Sequence, residues 1–174
     1  MRRARGFTLV ELMIVVAIIG VLAALAIYGV ARYLKHAKTA EAIRGLGAME
    51  NGSRQQYQRE TPWPPGTSDK YVHMFCPTAG PTPAAMPRGA KVLVPTTEWN
   101  SAGWACLKFS MVDPQFYVYK SVSNDLLGTD AVYTATAEGD LDGNGTSSLF
   151  EIVGHGGPMG DAIRDSFRVV NGDE

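Results

Sequence analysis

ARGFTLVELMIVVAIIG, residues 4–20, places one carboxylate, Glu11, at the head of a stretch otherwise suited to lipid. From Leu12 to Ala31 twenty consecutive residues are uncharged. As a helix rising about 1.5 Å per residue they cover roughly 30 Å, the thickness of a bilayer's hydrocarbon. An ionised carboxylate at mid-bilayer costs on the order of 2.5–3.5 kcal/mol unless it is paired. Glu11 therefore calls for a positive partner; the alternative is a side chain near a helix end that snorkels to the headgroups.

Arg2, Arg3 and Arg5 precede the apolar run. A secretory signal peptide has an apolar core of about 7–15 residues with its cleavage site on the far side. Here the run is longer, and the small residue lies on the near side, at Gly6. A cut between Gly6 and Phe7 would remove the basic leader, keep the helix, and expose a new α-amine four residues before Glu11. Arg32, Lys35 and Lys38 lie just beyond the other end, so the positive-inside rule only narrowly favours a cytoplasmic leader.

The stretch RGFTLVELMIVVAIIGVLAALAI resembles the amino-terminal signature of type IV prepilins and of the related pseudopilins of type II secretion. The resemblance covers about residues 5–35. It implies that prepilin peptidase cuts between Gly6 and Phe7, that Phe7 becomes the N-methylated first residue, and that Glu11 guides assembly. It also implies a single-pass inner-membrane form that passes, through a membrane platform, into an extracellular pilus or a periplasmic pseudopilus. The partners are then other copies of the chain and other pilins, in filaments of the kind used for adhesion, motility or secretion. Two departures stand out: Tyr28-Gly29 occupies the place where members of the family often carry a proline, and no cysteine pair lies near the carboxyl end.

In a low-dielectric setting a carboxylate facing an ammonium is far cheaper than an isolated one. The new Phe7 amine can pair with Glu11 in cis, or a neighbouring subunit's amine can do so in trans. Because the trans pair forms at one axial offset, it can set register while apolar packing supplies cohesion.

The chain of 174 residues has room for one domain beside a membrane helix. Removing the three leader arginines from 16 basic residues leaves 13 against 17 acids, and residues 130–174 hold nine acids against Arg164 and Arg168. These counts suggest no broad basic face for nucleic acid. Cys76 and Cys106, thirty positions apart and without zinc-ligand spacing, read as one disulfide in an oxidising compartment, with two buried free thiols as the alternative.

Past Ala31, apolar residues Leu34, Ala37, Ile43, Leu46, Met49 and Tyr57 recur at helical spacing, which extends one helix from about Phe7 to Glu60. Gly45, Gly47 and Gly52 either weaken this half or admit a close backbone. The prolines of TPWPPGT (61–67) end the helix, and a Pro- and Gly-rich loop runs over 66–91. Alternation then predicts strands in WACLKFSM (104–111), QFYVYKSV (115–122), AVYTATAE (131–138) and SLFEIV (148–153), with a short helix or strand near Ala162–Val169. The expected fold is α+β: a leader (1–6), a membrane-spanning or filament-core helix (7–31), its continuation under the head (32–60), and a β-rich domain (61–174) with an antiparallel sheet of about four strands.

Asp140, Asp142, Asn144, Gly145 and Glu151 fall on positions 1, 3, 5, 6 and 12 of a calcium loop, although strands rather than helices flank them. Calcium is the one cofactor the sequence suggests, against a plain polar hairpin turn. His36, His73 and His155 are scattered, no G-x-S-x-G is present, and GHGG at 154–157 reads as a glycine-rich turn, so no enzyme is expected. The reading is a structural pilus subunit, with a type II pseudopilin, or a tethered calcium- or ligand-binding module that does not polymerise, as alternatives.

Overall fold

The structure is a computed structural model and describes residues 6–66 and 70–172. The leader arginines Arg2, Arg3 and Arg5 lie outside the described residues.

One helix, α1 (Leu9–Tyr57), runs for 49 residues, about 74 Å at 1.5 Å per residue. It stops at Gln58, two residues short of Glu60 and just before the prolines at 62, 64 and 65. Only its second half meets the head. Ala42, Leu46, Met49, Ser53 and Tyr57, spaced by three or four, are buried there, which is the stripe a helix turns toward a core.

The three glycines of this half differ in role. A Cβ on Gly52 would overlap the carbonyl oxygen of Leu107, and one on Gly45 would enter the Tyr119 ring. Nothing lies within 4 Å of the corresponding position on Gly47. Gly45 and Gly52 therefore admit close neighbours, whereas Gly47 carries only the helix-propensity penalty.

Beyond α1, β1 (Thr61–Pro62) and β2 (Tyr71–Val72) form a small antiparallel ribbon. The main sheet has five antiparallel strands in sequential order: β3 (Ala79–Thr82), β4 (Val118–Ser123), β5 (Val132–Gly139), β6 (Ser148–Gly156) and β7 (Ala162–Val170). Strands β5 and β6 alternate buried with half-buried residues along their whole length. Tyr133, Ala135 and Ala137 of β5 and Phe150 and Ile152 of β6 are thereby buried on the inner face.

The outcome corrects one strand expected from the sequence. Residues 104–111 are not a strand: α2 (Ala102–Leu107) occupies the first part, and the rest belongs to no strand. Ser101 caps α2 by accepting from the Trp104 N–H, and Lys108 closes it at a positive φ of 52°. Trp104 and Leu107, three apart, are both buried, so helical spacing prevails over apparent alternation. The expected antiparallel sheet of about four strands is present, with five. β3 emerges from the Pro- and Gly-rich stretch, and the segment after 161 is a strand of nine residues.

The core lies between α1 and the inner face of the sheet. An aromatic cluster of Trp99, Trp104, Phe109 and Tyr119, with ring centroids 5.1–5.4 Å apart, fills the side next to α2. Burial raises the Tyr117 and Tyr133 phenols to about 12 and Tyr119 higher still, so all three are neutral core members.

Candidate assembly site

At the start of α1 the backbone N–H groups lack helical partners, and a Ser or Thr cap with an acid three residues on satisfies two of them. Thr8 and Glu11 form this box. The Glu11 carboxylate accepts from the Thr8 N–H at 2.9 Å and the Thr8 hydroxyl at 2.7 Å, while the Glu11 N–H donates back to Thr8 Oγ1 at 3.3 Å. The sequence reading missed Thr8, although T-x-x-E at 8–11 was the local signal for it. Gly6 and Phe7 precede the box outside the helix, and Phe7 is 85% exposed.

From Phe7 to Leu34 the large apolar side chains point into open surroundings on every side of the rod, among them Leu12, Ile19, Leu25 and Val30. By length and composition this helix is able to cross a membrane, and none of its most apolar window is buried within the chain. An apolar surface this long is unstable in water and needs lipid or other helices around it.

The head holds the other half of the rod through polar contacts that share one logic, a charge on α1 meeting a group on the sheet or its loops. Lys35 pairs with Asp142 at 3.1 Å, and Lys38 donates to the Leu141 carbonyl at 2.9 Å. Glu41 accepts from the Phe116 N–H at 2.7 Å and faces Lys91 at 3.5 Å. Glu50, buried on α1, accepts from Arg164 of β7 in a two-pronged pair and from Arg54 at 2.9 Å.

Burial pushes the Glu50 carboxyl up, but the hydrogen bonds and charges of Arg164 and Arg54 outweigh it and leave the group below its ordinary 4.5. A carboxyl lowered by folding stabilises the fold above its unfolded value, and that contribution is lost as pH falls through the folded one. Arg164→Gln is therefore expected to lower stability at pH 7 by about 1–2 kcal/mol, after discounting for the half-exposed arginine. Denaturant melts should show the gap between variant and wild type closing as pH drops from 4.5 downward; a constant gap would contradict the assignment.

The candidate calcium residues fall into two groups. Asp140, Asp142 and Asn144 share the turn between β5 and β6, where they accept from the turn's own N–H groups and Asp142 also meets Lys35. Asp140 accepts from the Gly143 and Gly145 N–H groups at 2.7 and 3.0 Å, Asp142 from Asn144, and Asn144 from Thr146. Glu151 lies three residues beyond Ser148 in β6, roughly 10 Å up the strand. It stands opposite Thr136 and Arg168. Glu151 thus stands apart from the other three, and among the described residues no three His, Cys, Asp or Glu side chains gather for a metal.

The histidines are separated as well. His73 Nδ1 lies 2.8 Å from the Tyr57 carbonyl, and His155 sits 2.6 Å from Asp165 on the outer face. Gly154, His155 and Gly156 of GHGG are the last residues of β6, and Gly157 follows it. Its Gly154 and Gly156 face Tyr133 and Tyr57, where a Cβ would not fit. Cys76 and Cys106 are joined, with their Cα atoms 5.6 Å apart.

A bare apolar rod with a capped acid at its tip, bound to a β-sheet head by its other half, defines a helix-anchored assembly subunit. The prokaryotic N-terminal methylation motif matches residues 1–27. The type IV major pilin PilE1 of Neisseria gonorrhoeae is 31% identical over 147 residues, 78% of this chain and 67% of that protein. The type IV major pilin PilA of Myxococcus xanthus (strain DK1622) is 37% identical over 87 residues, 45% of this chain and 40% of the relative. Fimbrial protein EcpC of Eikenella corrodens is 40% identical over 60 residues, 34% and 39% of the two chains. The chain thus spans about two fifths of the length of these last two relatives. No solved structure matches. The chain belongs to the type IV pilin family.

Proposed function

We propose that the chain is the structural subunit of an extracellular type IV pilus. Prepilin peptidase cuts it between Gly6 and Phe7, Phe7 is N-methylated, and the subunit leaves the inner membrane through an assembly platform to join a filament of like subunits. Removal of the leader gives Phe7 an α-amine one helical turn from Glu11. In the filament the Glu11 carboxylate exchanges its Thr8 donors for a neighbour's amine, which sets the axial offset between rods. The observation that carries this reading is the rod itself, with exposed apolar side chains from Leu9 to Val30 and Glu11 as its one charge over that length. The relatives' names, fimbrial proteins and major pilins, favour a pilus over a type II pseudopilus.

Mass spectrometry of sheared surface filaments tests it. The expected result is an abundant polypeptide beginning at N-methylated Phe7. A chain found only in membranes supports the tethered module instead, and filaments whose subunits keep the first six residues refute the processing.

A further inference from the structure

Between α1 and the chain from Lys108 to Phe116 lies a groove of 790 Å³ whose walls carry Lys38, Arg44, Lys91 and Lys108 beside Met111 and Phe116. The Lys38 and Lys91 ammonium groups stand 4.7 and 5.0 Å from the centre of the Phe116 ring. Of the two acids on the lining, Glu41 is committed to Lys91 and the Phe116 N–H, which leaves Asp113. Among the described residues Arg44 and Lys108 have no ion-pair partner. The groove is a basic slot with an apolar lining at the end of the head nearest the bare rod.

The opposite end of the head has the opposite character. The loops over 124–131 and 157–161 meet where the Gly156 N–H donates to the Ala131 carbonyl at 2.9 Å, next to Tyr57 at the end of α1. They carry Asp125, Asp130 and Asp161 and no basic residue. Met159 projects from this surface with 94% of its area exposed. Tyr57 lies sixteen positions beyond Glu41 on α1, so the two patches are about 24 Å apart along the rod.

We propose that the acidic cap formed by Asp125, Asp130 and Asp161, with Met159 as its apolar point, docks into the basic groove of a second copy of this chain. The contact rests on the filament reading above and adds a head-to-head-domain interface to the packing of the rods. Unlike patches at opposite ends make a heterologous contact, which repeats along an axis instead of closing into a dimer. Opposite charges orient the incoming subunit and disfavour an inverted one. A flexible thioether suits an irregular slot lined by Met111 and an aromatic ring.

The full-length chain carrying Val112→Cys and Met159→Cys tests the contact, because among the described residues every native cysteine is already paired. Oxidised filaments of this variant are expected to give a ladder of disulfide-linked multimers, while each single variant stays monomeric. In a second experiment Arg44→Glu with Lys108→Glu lowers filament yield at least fivefold, and adding Asp130→Lys and Asp161→Lys to the same chain restores it to within twofold. Normal filaments without a ladder, or a yield unmoved by charge reversal, overturn the contact and leave the pilus reading standing. A wild-type chain that never enters filaments overturns both.

Discussion

Glu11→Leu is expected to leave the chain in the membrane and to cut its recovery in sheared filaments at least tenfold. Leucine removes the one charge between Phe7 and Ala31, so insertion becomes easier rather than harder. Assembly is where the loss falls, because the proposed amine at Phe7 then enters the filament core with no counter-charge. An uncompensated ion in such a medium costs several kcal/mol even after relaxation, and about 1.4 kcal/mol already corresponds to a factor of ten. Glu11 has a second task, its capping box with Thr8, so Leu alone does not separate charge from cap. Glu11→Gln does, since glutamine at this position of the box still reaches back to the N-cap backbone. If pairing is the reason for the acid, Gln reduces filament yield nearly as far as Leu. If Gln assembles like wild type, the acid is there for the helix start and the register argument is wrong.

How far the sequence carried the reading depended on whether each signal was local. Twenty uncharged residues and a lone acid are visible in one window, and the long α1 followed from them. Strands β4, β5 and β6 were legible because a buried face and a half-buried face impose a period of two. The WACLKFSM stretch has the same composition as those strands, yet its first residues close a helix. What decides the matter is the serine cap before it and the Cys106 link behind Trp104, a constraint set by a residue thirty positions away.

Glu50 shows the same limit more sharply. Its partner Arg164 is 114 positions distant, and no pattern around either residue announces the pair. At the β5–β6 turn, composition leaves two readings open because a calcium loop and a tight turn draw on the same residues. Both need short side-chain oxygens and glycines able to take positive φ, as Gly143 and Gly145 do at 79° and 92°. What the sequence does not display is the position of Glu151, three residues up β6 and opposite Thr136. The rod's surroundings were legible for a different reason: what a helix lacks inside its own chain is written in its composition.

Replacing both bridging cysteines with alanine is expected to lower the stability of the head by about 3–4 kcal/mol. Closing a loop of some 30 residues removes roughly that much entropy from the unfolded chain at 25 °C. The enclosed segment has little regular structure: β3 pairs on one side only, as an edge strand, a 3-10 turn spans Thr96–Trp99, α2 has six residues, and Arg88 and Val92 make isolated bridges to Asp140 and Gln115. Alanine is the right substitute because Cys76 is buried and serine would place a hydroxyl there without a partner. The counter-argument is that Trp99, Trp104 and Leu107 anchor the segment by packing alone, since all three are buried. Those side chains determine where α2 rests in the folded state, but they do not restrict the unfolded one, and the two contributions are separable. Denaturant melts of the wild type with and without reductant, beside the double alanine variant, should agree on the loss. A change below about 1 kcal/mol in both would mean that the aromatic cluster holds α2 against α1 unaided. Since whole domains keep only about 5–15 kcal/mol in hand, a loss of the expected size would also confine a stable head to an oxidising compartment.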